Sequence, residues 1–93
     1  MNLQGKVAVY GLGNNFKKKN KFIIENIKPD LLVDRDANLW GKEIISGIKC
    51  CSPDNLDNSD INTVIIAPEN GILITEIKNK LMGKYEIYTL NQL

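Results

Sequence analysis

The stretch Lys6-Val7-Ala8-Val9-Tyr10-Gly11-Leu12-Gly13-Asn14 decides the fold of this chain. Its first five residues form a short apolar run rich in β-branched side chains, which is typical of a buried strand. The run stops at Gly11, and a glycine at this point favours a sharp turn out of the strand. The stretch therefore predicts a buried strand over 6–10 that is followed by a glycine turn.

An amphipathic pattern follows the turn. The apolar side chains of one helical face are Phe16, Ile23, Ile24 and Ile27, while lysines occupy much of the rest and a proline ends the pattern. The spacing predicts a helix over 15–27. A second apolar run over 31–33 then predicts a strand, and a strand, helix and strand of this spacing form a βαβ unit with a right-handed crossover.

Three further apolar runs predict the remaining strands, which we expect over 47–51, 63–67 and 85–89. A helical pattern lies between the last two runs, and Gly83 follows it at the position of a C-terminal glycine cap. Strands that alternate with helices imply an α/β fold with a parallel sheet and helices on both faces. The simplest doubly wound case is a three-layer domain of about five strands in the order 3-2-1-4-5.

Composition limits the classes of function. The chain of 93 residues, with 43% hydrophobic and 25% charged residues, predicts one globular domain over 1–93, either by itself or as a piece of a longer protein. A formal net charge of +1 gives no field that calls for nucleic acid or a membrane as partner. No apolar run approaches about 18 residues and no signal peptide is recognisable, so we expect a cytoplasmic protein without membrane insertion.

Two residue types bear on chemistry. The chain has no histidine, which excludes the usual catalytic triad and any Cys/His metal site. Cys50 and Cys51 are neighbours, and we expect a reduced pair whose side chains point to opposite sides of a strand. The alternative is a vicinal redox switch.

Candidate binding residues follow the predicted strands. Ligands of doubly wound sheets bind at the carboxyl ends of the strands, beside the first one. The turns after three strands should therefore surround one crevice. We predict as its binding residues Gly11, Gly13, Asn14 and Asn15 after the first strand, Asp34 and Asp36 after the second, and Ala67 and Asn70 after the fourth. We assign no catalytic and no metal-binding residue.

The dinucleotide fingerprint G-x-G-x-x-G is only partly present. Gly11 and Gly13 fit its first two glycines, whereas Phe16 occupies the third position. Since the third glycine lets the helix approach the sheet, Phe16 should widen the turn or redirect the helix. Asp34 lies 21 residues after Gly13, where the fingerprint has an acid that meets ribose hydroxyls. A phosphate-bearing ligand and a purely structural turn both remain open.

Four stretches are more specific than the fingerprint. They are KVAVYGLGNN at 6–15, VDRDANLWGKEI at 33–44, GIKCCSPDNL at 47–56 and TVIIAPEN at 63–70. Together they resemble the small Rossmann-like domains found in bacterial sugar-modifying and surface-polysaccharide proteins. Trp40-Gly41-Lys42 is among the more specific parts of this resemblance, because no general nucleotide fingerprint asks for it.

The resemblance implies a nucleotide or nucleotide-sugar binding accessory domain of a bacterial carbohydrate-modifying or polysaccharide-modifying enzyme, such as a glycosyltransferase or methyltransferase. Such a domain is not catalytic by itself and works beside a catalytic domain. NAD(P), a UDP-sugar and coenzyme A are the implied ligand candidates; Gly11, Gly13 and Asn14 would meet phosphate and Asp34 the ribose. The alternative, favoured by Phe16, is a docking or homodimerisation domain that has kept the fold without a ligand.

Overall fold

The computed structural model describes residue 3 and residues 5–93, and this part of the chain contains a six-stranded sheet. The strands are β1 (Lys6–Tyr10), β2 (Leu31–Val33), β3 (Glu43–Ile45), β4 (Ile48–Cys51), β5 (Ile61–Ile66) and β6 (Glu86–Thr89). The α-helices are α1 (Asn14–Lys18), α2 (Asn20–Phe22) and α3 (Gly71–Leu81). A π-helical turn spans Ile23–Ile27, and 3-10 turns span Ala37–Leu39, Pro53–Asn58 and Leu90–Gln92.

The sheet is mixed, and its strand order is β3-β4-β2-β1-β5-β6. β1 lies in the middle and pairs in parallel with β2 and β5, while β4 and β6 extend the sheet outward in parallel. β3 pairs antiparallel with β4. The prediction of a three-layer Rossmann-like domain with a parallel sheet of about five strands in the order 3-2-1-4-5 is therefore wrong. The described residues form six strands, one pair is antiparallel, and much of the helical cover is short and interrupted.

The unpredicted strand β3 belongs to a tight hairpin. Ser46 and Gly47 form its two-residue turn, with φ values of 50° and 78°, and Ile45 pairs with Ile48 across it. Two successive positive φ angles give a turn whose twist matches that of paired antiparallel strands. A strand of three residues is too short to produce a recognisable alternation of apolar and polar side chains, so the pattern gave no signal for β3.

The helix predicted over 15–27 is not continuous either. Lys19 interrupts it after α1 with φ −104° and ψ 18°, and the chain then passes through α2 into the π-helical turn. Asparagine is a poor helix former, and this segment contains several asparagines, which weakens a regular helix here. Phe16, Ile23 and Ile27 are buried nonetheless, whereas Ile24, which was predicted on the same face, is 38% exposed. The prediction of the apolar face is thus correct in part, and the prediction of a continuous helix is wrong.

Side chains alternate across the sheet and build one apolar cluster on each face. Val7 and Val9 of β1 face the cluster beneath the segment 14–27, whereas Ala8 and Tyr10 face the cluster beneath α3. The 3-10 turn Pro53–Asn58 contributes Leu56 to the second cluster. Helical cover on opposite faces makes the connections after β1 and after β5 diverge. None of the helices in the described part of the chain is both long and apolar enough to cross a membrane.

Candidate functional site

A crevice opens at the carboxyl edge of the sheet, where β1 and β5 end side by side with Tyr10 paired to Ile66. The connections that leave these strands pass to opposite faces, and sheets with such a divergence bind ligands at this point. A cavity of about 350 Å³ occupies it, within the range of roughly 300–1,000 Å³ that is usual for small-molecule sites. We call it the glycine-turn crevice. It is lined by Tyr10, Gly11, Gly13, Asn14, Asn15, Phe16, Asp34, Arg35, Pro68, Glu69, Asn70, Leu73 and Ile77.

Six of the eight predicted site residues line this crevice, and Asp36 and Ala67 do not. Ala67 is only 1% exposed, and its carbonyl oxygen accepts a hydrogen bond from the side-chain amide of Asn15 at 2.7 Å. Asp36 lines a separate cavity of about 410 Å³ on the other side of the glycine turn. Gly13 and Asp34 border both cavities, so the turn separates two hollows.

The two glycines of the turn have different roles. Gly11 has a φ of +96°, and a Cβ atom there would lie 2.5 Å from Cδ of Pro68. Its backbone therefore requires glycine for structural reasons. Gly13 has an ordinary φ of −83°, and a Cβ atom there would meet no described atom within 4 Å. The open space at Gly13 lies on the wall of the crevice, which leaves its backbone accessible to a bound molecule.

Asp34 holds the glycine turn in place. One carboxylate oxygen accepts a hydrogen bond from the backbone N–H of Leu12 at 2.8 Å, and the other accepts from the N–H of Asp36 at 2.8 Å. A carboxylate has about four acceptor positions, so these two bonds leave capacity for a ligand hydroxyl. The predicted contact with a ribose thus competes with the hydrogen bonds that Asp34 accepts from the backbone, which the sequence spacing does not reveal.

The asparagines of the crevice are also engaged in the protein. The Asn15 side chain is buried and donates to Ala67 and to the Asn91 side chain, which joins the glycine turn to the C-terminal 3-10 turn. The Asn70 side chain caps α3 by accepting from the N–H groups of Ile72 and Leu73. Asn14 is exposed, and together with Gly13 it presents the most accessible part of the turn.

Tyr10, Arg35 and Trp40 belong to this region, although the sequence analysis did not select them. Burial raises the pKa of the Tyr10 phenol, so at neutral pH its hydroxyl is protonated and can donate a hydrogen bond. The Trp40 indole N–H donates to the carbonyl oxygen of Asp34 at 2.7 Å, which fixes the ring beside the end of β2. The alternation along β1 was an available signal for Tyr10, because it places this last residue of the strand on the α3 face.

A second cavity of about 380 Å³ adjoins the crevice on the α3 face, and we call it the Trp40 cavity. Tyr10 and Arg35 line both spaces and form the boundary between them. The rest of the wall consists of Trp40, Ser52, Pro53, Asp54, Leu56, Asp57, Lys80, Leu81 and Lys84. Trp40 and the 3-10 turn Pro53–Asn58 therefore form walls of a cavity that lies beyond the predicted turns.

Charges at the mouth of the crevice are mixed and exposed. Arg35 lies 3.6 Å from a carboxylate oxygen of Glu76, and Lys18 lies 3.5 Å from one of Glu69. Exposed ion pairs of this kind contribute about 0–1 kcal/mol, so an anionic ligand can replace either carboxylate at small cost. The crevice can thus accept a ligand that carries both hydroxyl groups and negative charge.

The cysteines lie outside the crevice. Cys50 packs in the cluster under 14–27 and Cys51 against the cluster under α3, so their side chains project to opposite faces of β4. Burial is the largest cause that raises the pKa of Cys50, to about 11, and burial also raises the pKa of Cys51. Both thiols are protonated at neutral pH and are poor nucleophiles.

The side chains of the region limit the chemistry that it can offer. Among the described residues, no group of three or more His, Cys, Asp or Glu side chains is placed to hold a metal ion. The crevice offers hydrogen-bonding groups, exposed cations and the apolar side chains of Leu73 and Ile77. No family model and no curated protein sequence matches the chain.

Proposed function

We propose that this domain binds a nucleotide or nucleotide sugar in the glycine-turn crevice. The observation that carries the proposal is the open space at Gly13, on the wall of a preformed cavity where the connections after β1 and β5 diverge. A glycine in this position lets a phosphate group approach the backbone more closely than any side chain would allow. Gly11, by contrast, is explained by packing against Pro68 alone.

The other walls of the crevice suit the remaining parts of such a ligand. Leu73 and Ile77 provide an apolar surface for a flat base, and Arg35 provides a cation that can pair with a phosphate in place of Glu76. The unused acceptor positions of Asp34 suit a ribose hydroxyl. NAD(P), a UDP-sugar and coenzyme A all combine these chemical groups and are the ligands to test.

We place the domain in a carbohydrate-modifying enzyme, as an accessory to a catalytic domain such as a glycosyltransferase or methyltransferase. This part of the proposal is supported by the resemblance carried by Trp40-Gly41-Lys42 and its neighbouring stretches. The hydrogen bonds of Asp34 and Asn15 to the backbone favour a binding role over acid–base catalysis. A cytoplasmic location suits the reduced cysteines Cys50 and Cys51.

Two matched glycine variants test the proposal. Gly13→Ala should weaken nucleotide binding at least about tenfold, which corresponds to about 1.4 kcal/mol, because the new methyl group stands where the phosphate would lie. Gly71→Ala is the control, since Gly71 also has open space around it and does not line the crevice. Calorimetric titration with UDP, UDP-glucose, NAD and coenzyme A measures both variants. Absence of binding to all four at millimolar concentration, or equal affinity in the wild type and Gly13→Ala, would contradict the proposal.

A docking or dimerisation role without a ligand is the second candidate. It is favoured by the fact that the polar side chains of Asp34, Asn15 and Asn70 already have hydrogen-bond partners in the protein. In that case the nucleotide titrations give no heat, and sedimentation velocity shows a concentration-dependent dimer. A monomer that binds nucleotide would exclude this candidate.

A further inference from the structure

The Trp40 cavity has an aromatic wall in a fixed orientation. Trp40 is 42% exposed although it is a large aromatic residue, and the hydrogen bond from its indole N–H to Asp34 prevents the ring from turning freely. The same bond satisfies the polar atom of the indole, so the surface that the ring offers to the cavity is apolar. An aromatic ring held in this way can pack against the apolar face of another ring.

Charged groups surround the rest of the cavity in both signs. The backbone N–H of Asp54 donates to Ser52 Oγ, whereas no side-chain hydrogen bond or ion pair between described residues uses the Asp54 carboxylate or the Lys80 ammonium, both of which line the cavity. Asp57 is only loosely engaged, at 4.0 Å from the Lys84 ammonium and 3.3 Å from the Tyr85 hydroxyl. Carboxylates only accept and ammonium groups only donate hydrogen bonds, whereas a hydroxyl does both. A wall that mixes the two is therefore suited to a molecule with several neighbouring hydroxyls.

The combination of these walls discriminates among ligand classes. A second base or the thiol arm of coenzyme A would bring apolar surface against five charged side chains, which would lose water without gaining partners. A divalent cation would meet the carboxylates together with the ammonium groups of Lys80 and Lys84, and the two ammonium groups would repel it. A pyranose ring has one face of C–H groups and a rim of hydroxyls. The C–H face can pack on the indole, and the hydroxyls can form hydrogen bonds with the charged side chains of the cavity.

We propose that the Trp40 cavity holds the sugar unit of a nucleotide sugar. The inference rests on the proposed function, because the nucleotide part of the same ligand would lie in the glycine-turn crevice. Tyr10 and Arg35 line both spaces, so one bound ligand can extend from the crevice into the Trp40 cavity along the protein surface. At this boundary the protonated Tyr10 hydroxyl can donate to a sugar or phosphate oxygen, and Arg35 can pair with the diphosphate.

The test compares each nucleoside diphosphate with its own sugar derivative: UDP with UDP-glucose, UDP with UDP-N-acetylglucosamine, and GDP with GDP-mannose. At least one sugar derivative should bind about tenfold tighter than its parent diphosphate by calorimetry. The chain contains one tryptophan, so tryptophan fluorescence reports on the surroundings of the Trp40 ring. We expect the fluorescence to change with the sugar nucleotide and to change little with the diphosphate.

Two pairs of variants distinguish a loss of the sugar subsite from a non-specific loss of structure. Trp40→Ala should remove the gain from the sugar and leave diphosphate affinity within about twofold. Trp40→Phe keeps an aromatic ring but lacks the indole N–H that fixes its orientation, so it should keep only part of the gain. Lys80→Met should lower sugar-nucleotide affinity about threefold or more, and Lys78→Met, on the same helix but outside the cavity, should not.

The outcomes distinguish the two proposals. If diphosphates bind but their sugar derivatives bind no tighter, or if Trp40→Ala weakens both ligands equally, the sugar subsite is refuted and the crevice proposal stands. If NAD or coenzyme A binds but neither diphosphates nor sugar nucleotides bind at millimolar concentration, the sugar subsite alone is refuted. If none of these ligands binds, both proposals fail.

Discussion

At the scale of single residues, Asp34 shows what a motif position can and cannot reveal. The spacing from Gly13 correctly placed a carboxylate beside the glycine turn, where it lines the crevice. The same position also allows the carboxylate to bond the N–H groups of Leu12 and Asp36, and the structure uses it in that way. Spacing along the chain cannot separate these roles, because a residue that supports a turn and one that contacts a ligand can occupy the same place.

The structural role of Asp34 predicts a matched pair of effects on stability. Asp34→Asn should lower the free energy of unfolding by about 1–3 kcal/mol, because the amide nitrogen cannot accept and leaves one backbone N–H without its partner. Asp36→Asn should change it by less than about 0.5 kcal/mol, since Asp36 only caps a 3-10 turn by accepting from Asn38 and asparagine caps equally well. Urea titrations of both variants provide the measurement. Equal losses would show that Asp34 does not hold the turn.

At the scale of secondary-structure elements, prediction succeeded where burial is uniform. β1 and β2 have the predicted bounds, Lys6–Tyr10 and Leu31–Val33, because a strand covered on both sides reads as an unbroken apolar run. α3 ends at Leu81, two residues before Gly83, the glycine that the sequence predicted near the end of this helix. The segment 15–27 failed because an apolar face identifies which side of a helix is buried and does not reveal interruptions such as Lys19.

The hairpin between β3 and β4 predicts a stabilising substitution. Ser46 has a φ of 50° and precedes Gly47, and asparagine tolerates this left-handed conformation better than serine does. Ser46→Asn should raise the free energy of unfolding by about 0.5–1 kcal/mol. Ser46→Val should lower it by about 1–2 kcal/mol, because a β-branched side chain is strained there. Thermal denaturation ranks the three proteins; a valine variant as stable as the wild type would refute the assigned turn.

At the scale of the whole molecule, the candidate site was predictable only in part. The rule that ligands bind at the carboxyl ends of parallel strands brought Gly11, Gly13 and Asn70 to one place without any knowledge of packing. The Trp40 cavity could not be found in this way, since its wall depends on how the 3-10 turn Pro53–Asn58 and the end of α3 fold over the sheet. Ala67 follows β5 but does not line the crevice, because it is buried and its carbonyl oxygen accepts the hydrogen bond from Asn15.

Burial of Cys50 on β4 makes the stability of the whole molecule depend on pH. The pKa of Cys50 is about 11 in the folded protein and 9.0 without the fold. Above pH 9 the unfolded chain therefore loses this proton first, and stability that is fully present below pH 9 declines up to about pH 11. The slope from this one group is at most about 1.4 kcal/mol per pH unit.

The contribution of Cys50 is isolated by a difference between two proteins. Tyr10, Cys51 and Tyr85 also have raised pKa values and add to the decline in the same direction. Cys50→Ala should be less stable at pH 7, because it leaves a small cavity, but its stability should fall less steeply between pH 9 and 11. Guanidinium titrations at several pH values measure the slopes, and identical slopes would refute the assignment.

The central position of β1 also has a consequence for how the chain folds. Its parallel partner β5 joins it with Lys6 opposite Ile61, 55 positions later in the chain. Closing such a long loop costs conformational entropy before the contacts between the strands offset it. The helices α1 and α2 are too short to be stable by themselves, so they cannot start folding locally. Folding must therefore wait for a long-range encounter between β1 and β5, and we expect slower refolding than for a helical bundle of equal length.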